Sequence, residues 1–248
     1  SLTGIVHAVG SREKPIPPLN VVADMGGGAM SMALGILAGV YEARNSGEGQ
    51  VVDISMTEGS AYLALGIYGM AAVGDYNHER ESNFLDGGAH FYRCYETSDE
   101  KFVSIASIEA KFYAILLDKL GLAGDNSLPP QMDASQWPAM SEKFASIFRT
   151  KTRDEWCEIM EGTDICFAPV LTFNEAPDHP HNKARGSFVD VEGVPQPNPA
   201  PRFSRTPGSV KGAAPNYGAD TRSGLIEWGF SEADVNNLIE EKAVGWQG

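Results

Sequence analysis

Asp24 stands two residues ahead of three consecutive glycines, Gly26, Gly27 and Gly28, in the stretch DMGGGAM. Glycines before an apolar helix leave backbone N–H groups open at its positive end, which suits an anion or an enolate oxygen. They also let a ligand approach the main chain closely. The bland alternative is a tight turn in which Asp24 caps the helix. The pattern is neither G-x-G-x-x-G nor G-x-x-x-x-G-K-[ST], and no lysine follows, which sets a nucleotide phosphate loop aside.

A second carboxylate, Glu109, lies in ASIEAKFY, after an apolar strand and at the start of a helix, where it acts on a ligand or simply favours the helix dipole. His7 follows Ile5 and Val6 and fits a core or interface position better than a base. His90 sits in a glycine-flanked loop before an aromatic pair, where either a site role or a core role fits. His179 and His181, in DHPHN, would need further ligands to make a metal site, and the expectation is no metal. G-x-S-x-G is absent, so an α/β-hydrolase reading has no nucleophile. Met25, Met30, Met32, Met56 and Met70 crowd the first 70 residues, as core filling or as a soft surface for a variable apolar group.

These residues need elements to hold them. Apolar and small residues at helical spacing predict a buried helix from Ala29 to Arg44, closed by NSGEG. QVVDISM reads as a buried strand and Thr57 to Val73 as a second apolar helix, an order that suggests an α/β layer with a parallel sheet. Residues 74–90 are polar, glycine-punctuated and linker-like. FYRCYETSDEKFVSIAS reads as a hairpin, IEAKFYAILLDKLGL as an amphipathic helix, and two further helices follow, the second opened by a capping box at Thr152 and Glu155. CFAPVLT is extended, residues 176–215 are proline-rich and without periodicity, and the tail gives two short helices, the second capped by Ser231.

Composition bounds the partners. A net charge of −14 argues against nucleic acid and anionic membranes, which need a basic surface. Cys94, Cys157 and Cys166 lack disulfide or metal spacing, as in a reduced, cytoplasmic protein. AMSMALGILAGVY, the longest apolar stretch, reads as too short to cross a bilayer, so no membrane span is expected.

Several segments together resemble one family, the type III CoA-transferases, and within it the α-methylacyl-CoA racemase branch. They are LTGIVHAVG, PPLNVVADMGGGAM, GILAGVYEARNSGEGQVVDISMTEGS, GGAHFYRCYETSDEKFVSIASIEAKFY, CFAPVLT, HNKARGSFVDV, PRFSRTPG and the tail from DTRSGLIEWGF. The pairing of Asp-x-Gly-Gly-Gly with Ile-Glu-x-x-Phe-Tyr is the specific part.

The resemblance implies an α/β chain with a partial Rossmann-like, CoA-binding large domain, a smaller α+β domain, extended linkers and an interlocked homodimer. On this sequence that gives 1–73 as large domain, 74–90 as linker, 91–175 as small domain, 176–215 as linker, and 216–248 returning to the large domain. It implies an acyl-CoA substrate, a place in lipid metabolism, and no cofactor beyond the CoA of the thioester itself. The thioester acidifies the α-proton, one base removes it, and a conjugate acid returns a proton to the other face of the enolate. Asp24 matches the catalytic aspartate, and Glu109 matches a glutamate beside it across the subunit interface, two carboxylates that would raise each other's pKa. Asn20, Gly26, Gly27, Gly28, Met56, Tyr92 and Ile108 match positions near the acyl group.

The family's second base belongs to a Gly-His-Asp-x-Asn-Tyr motif just upstream of LTG, and this sequence, which starts SLTG, contains no Gly-His-Asp. His7 matches a different position. The expectation is a shortened chain that lacks racemase activity by itself. Transfer of CoA with Asp24 as nucleophile, and a non-catalytic dimeric binding module, stay open as alternatives.

Overall fold

The computed structural model describes residues 1–246, so the last two residues of the expected 216–248 segment lie outside it. The chain divides into two units, Ser1–Val170 and the part from Leu171 onward.

Within the first unit, the best-packed part surrounds a three-stranded antiparallel sheet ordered β1 (Tyr92–Glu96), β2 (Phe102–Ala106), β3 (Phe167–Pro169). The expected hairpin forms, with Tyr92 opposite Ala106 and Glu96 opposite Phe102. Its turn closes through Thr97 and Lys101, with Glu100 in the left-handed region at φ 59°. Residues alternate across the strands, so Tyr95, Val103 and Ile105 are buried while Cys94 and Phe102 face out. Against the buried face lie α5 (Ala110–Lys119), α6 (Trp137–Phe148) and α7 (Arg153–Met160). The resulting core holds Phe91, Leu116, Phe144, Phe148, Met160 and Ile165, all fully buried, and Trp156. Its large polar rings keep partners: Trp156 Nε1 donates to the Phe148 carbonyl at 2.8 Å and Tyr95 Oη to the His90 carbonyl at 2.6 Å. The capping box predicted at Thr152 and Glu155 opens α7.

The N-terminal part of the same unit is helical. After α1 (Ile5–Ala8), a continuous helix runs from Val21 to Ser46, beginning as a π-helix (Val21–Met30) and continuing as α2 (Ser31–Ser46). Gly47, at φ 81°, ends it as NSGEG predicts. The second predicted helix splits at Ala64 into α3 (Met56–Leu63) and α4 (Leu65–Val73).

Four expectations are corrected here. The helix after the glycines is not buried: Leu34, Leu37 and Tyr41 are 71%, 68% and 70% exposed, because only its glycine-rich side meets another element. QVVDISM is not a strand: residues 50–55 take no regular element and Met56 already opens α3. A buried parallel strand needs a paired neighbour and cover on both faces of its sheet, and none pairs with it among the described residues, leaving Val51 95% exposed. Val52 and Ile54 instead lie on α2 at Gly35 and Gly39. The mixed helix-and-sheet character holds, but every paired strand among the described residues is antiparallel, so the parallel sheet does not appear. Finally, because the glycines do not break the helix, the Val21–Ser46 segment of 26 residues is long and apolar enough to cross a membrane by length and composition. That contrasts with the short apolar stretch read from sequence.

In the second unit, residues 176–215 are less formless than their prolines suggest. They contain α8 (Pro180–Arg185) and an antiparallel hairpin of β4 (Phe188–Val191) and β5 (Val194–Pro197). Its turn uses Glu192 and Gly193, both at positive φ, which periodicity cannot reveal. The tail forms α9 (Thr221–Glu227) and α10 (Glu232–Glu240), with Ser231 and Asp234 making a capping box.

Candidate active site

The predicted site residues fall into two groups within the first unit. The first lies on the π-helix. There the N–H groups of Asp24 and Met25 both donate to the Asn20 carbonyl, at 3.1 and 3.2 Å. Wide turns of this kind recur at functional sites. Asn20 precedes the first turn, Asp24 is exposed within it, and no side-chain hydrogen bond or ion pair holds the Asp24 carboxylate among the described residues.

The glycines have a structural reason that sequence did not supply. Gly27 and Gly28 are buried against α3. A Cβ on Gly27 would meet Ser60 Oγ at 2.4 Å and the Ser60 nitrogen at 2.7 Å. A Cβ on Gly59 of α3 would meet the Gly27 carbonyl oxygen at 1.9 Å. Two helices therefore cross backbone to backbone, and only glycine permits it. Gly28 faces Met56, whose Cγ would lie 3.0 Å from an added Cβ, and half-buried Gly26 faces Leu63. Asn20, Asp24, Gly26, Gly27, Gly28 and Met56 thus gather at one helix crossing. The buried Ser60 hydroxyl at its centre has no hydrogen-bond partner.

The second group lies at one end of the three-stranded sheet. Tyr92 starts β1, Ile108 follows β2, and both pack half-buried on the core. Glu109 is the N-cap residue of α5, extended at φ −71°, ψ 138°; its carbonyl receives the Phe112 and Tyr113 N–H groups while its side chain makes no cap and is exposed. The 107–109 loop is held from below. Gln131 Nε2 donates to the Ser107 and Ile108 carbonyls, both at 2.9 Å, and Ser107 Oγ donates to the Ile165 carbonyl. Gln131 is a positioning residue that sequence reading missed, because a lone glutamine in a loop carries no pattern. The Cys166 thiol is pushed up by burial first, and then by the neighbouring Glu109 and Asp164 carboxylates.

No hydrogen bond or ion pair among the described residues joins Asp24 to Glu109, or any histidine to Asp24. The histidines separate by environment. His90 is 1% exposed; its Nε2 lies 2.8 Å from Tyr113 Oη and its ring packs edge-on against Phe91, Tyr113 and Phe144. Burial holds it down to about 4, so it is a neutral core residue. His179 caps α8, its Nδ1 accepting from the His181 N–H, and no cluster able to hold a metal occurs among the described residues.

Beside the first group lies a cavity of about 960 Å³. Val22 of the π-helix and Leu63, the neighbour of Gly26, form one wall; Ile5, Val9, Phe84 and Leu85 contribute others. His7, exposed, stands at its edge. Tyr76 also lines it, its hydroxyl pushed up by burial and then by Asp86.

Comparison with known proteins gives a consistent picture. A model of CoA-transferase family III matches residues 1–221. The alpha-methylacyl-CoA racemase of Mus musculus is 46% identical over 248 residues, covering 98% of this chain and 65% of the relative. That of Homo sapiens is 42% identical, with 98% and 64% covered. A CaiB/BaiF family protein from Brucella suis, of known crystal structure, superposes with a TM-score of 0.70 at 18% identity, over 94% of this chain and 61% of that one. The chain thus spans a little under two thirds of the curated relatives it matches.

Proposed function

The chain belongs to CoA-transferase family III, and from that premise we propose that it carries the catalytic-aspartate part of an acyl-CoA racemase-like enzyme. The substrate would be a 2-methylacyl-CoA thioester and the reaction α-proton exchange through an enolate. The observation that carries the reading is Asp24: an exposed carboxylate on a π-helix, two residues ahead of a glycine-packed crossing. The racemase names of the two mammalian relatives support it.

In this reading Asp24 takes the α-proton from the thioester, whose carbonyl spreads the charge onto oxygen. Glu109, Tyr92 and Ile108 come to Asp24 from a second copy of the chain, a reading supported by the lack of any hydrogen bond or ion pair between Asp24 and Glu109 among the described residues. Exposed Leu34, Leu37 and Tyr41 give that copy an apolar surface to cover. The test is α-deuterium exchange on 2-methylacyl-CoA in heavy water. With the second base's motif missing from this sequence, the chain should exchange the proton on one face only, and Asp24→Asn should slow that exchange by about 10²–10⁴-fold; exchange at the unmodified rate in that variant overturns the assignment.

Transfer of CoA is the second reading, favoured by the family's own name. Here the Asp24 carboxylate attacks the thioester carbonyl, CoA leaves as thiolate, and a mixed anhydride remains. Trapping an acyl adduct on Asp24 would select this reading over proton transfer.

A further inference from the structure

Arg80 belongs to no motif of the sequence, yet its side chain makes three long-range hydrogen bonds beside the cavity. Its Nε donates to the Ser11 carbonyl at 2.6 Å, Nη1 to the His7 carbonyl at 3.0 Å and Nη2 to the Arg12 carbonyl at 3.0 Å. The next residue repeats the link: Glu81 Oε2 accepts from the Arg12 N–H and its carbonyl from Arg12 Nη2. No ion pair to Arg80 occurs among the described residues. The Glu13 carboxyl is held down first by its backbone and Ser11 hydrogen bonds and then by the charges of Arg12 and Arg80, while the Arg80 guanidinium itself bonds main-chain oxygens. One of them, that of His7, lies in the last turn of α1, where carbonyls have no helical partner.

These bonds join two walls of the cavity. Ile5 and Val9 are carried by the segment whose carbonyls Arg80 holds, and Tyr76, Phe84 and Leu85 by the segment containing Arg80. The latter is already stiff at its far end. The Asp86 carboxylate accepts from the N–H groups of Ser82, Asn83 and Gly88. What Arg80 adds is the separation between the walls.

We propose that Arg80 is the positioning residue of this cavity, setting by its three-carbonyl brace how long an apolar acyl group the site accepts. The proposal rests on the acyl-thioester reading above. A long acyl group would run between the braced walls and lose burial when they part; a short one would have less surface there to lose. Lysine cannot replace the guanidinium, because one ammonium lacks the planar fork that serves three acceptors at once.

Two measurements test it. In isothermal titration, R80K and R80Q should weaken binding of 2-methyldecanoyl-CoA by about tenfold and leave 2-methylpropanoyl-CoA within about twofold. Equal losses for both thioesters, or no loss for either, overturn the length-setting role. In amide hydrogen exchange, both variants should exchange faster in residues 5–10 and in residues 76–86 together. Unchanged exchange in either segment overturns the brace. If the unsubstituted chain binds neither thioester while the exchange behaves as expected, the acyl-thioester reading fails and the length role with it, and the brace alone stands.

Discussion

Two halves of one unit use their apolar residues in opposite ways. Around the three-stranded sheet, residues 89–165 bury Phe91, Phe144, Phe148, Trp156 and Met160 to 2% exposure or less. In the helices of residues 21–73, Leu34, Leu37, Tyr41 and Tyr62 are 68% to 75% exposed, and the tightest packing is a glycine-to-glycine crossing. The first region builds its own core; the second keeps one precise backbone contact and leaves its large side chains outward. Helical periodicity is the same signal in both, so amphipathic pattern reports which residues seek burial, not whether this chain supplies the cover.

Substitutions can break or sharpen that contrast. The largest effect on stability is expected from Trp156→Ala, which empties the core and loses the bond to the Phe148 carbonyl; by the usual range for large aromatic deletions it costs about 3–5 kcal/mol. Urea unfolding followed by Trp fluorescence and far-UV circular dichroism would read it. A loss below about 1 kcal/mol would show that the region is less close-packed than its burial indicates.

His90 gives the next effect. The unfolded chain binds its proton near pH 6.5, the folded chain only near 4, because burial opposes the charge. The His90 contribution is therefore fully present above pH 6.5 and is lost as pH falls from 6.5 towards 4. Tyr113, whose own hydroxyl is pushed up to about 12 by burial, offers no charge to offset it. Urea midpoints measured across that window should fall for the unsubstituted chain and fall less steeply for His90→Phe. Parallel slopes would remove His90 as the cause.

Gly59→Ala comes third. Its new methyl would overlap the Gly27 carbonyl, forcing the helices apart at a cost of about 1–3 kcal/mol. The π-helix would shift with them, so exchange at the acyl α-carbon should fall alongside the urea midpoint. A Gly59→Ala protein with an unchanged urea midpoint would refute the close crossing. Smallest, for stability, are Leu34→Ser and Leu37→Ser, expected within about 0.5 kcal/mol in the separated chain because the side chains are already in water. Their effect should appear instead as weaker self-association by light scattering, and a stability loss as large as that of the core variant would reverse the contrast.

Much of the local structure was legible because its causes are local. Thr152 with Glu155, and Ser231 ahead of α10, cap their helices as their side chains dictate. Gly47 and Gly121 end theirs at positive φ. The hairpin of β1 and β2 follows from alternation on either side of the five-residue turn 97–101. QVVDISM failed as a strand because a strand needs partners, and alternation names none. The hairpin of β4 and β5 was hidden by its prolines, and Gln131 and Arg80 by the absence of any pattern around them.

The sequence by itself determined the family, named Asp24 and Glu109 as the candidate carboxylates, and marked the helix and strand ends that side chains and glycines set within a few residues. Only the tertiary structure decided the rest. It made the glycines the contact between the π-helix and α3, buried His90 as a neutral core residue, put Asp24 and Glu109 on different elements, and left the apolar helices uncovered. Those outcomes depend on contacts between residues far apart in the chain, and hydrophobic spacing carries the demand for such contacts without naming the partner that meets it.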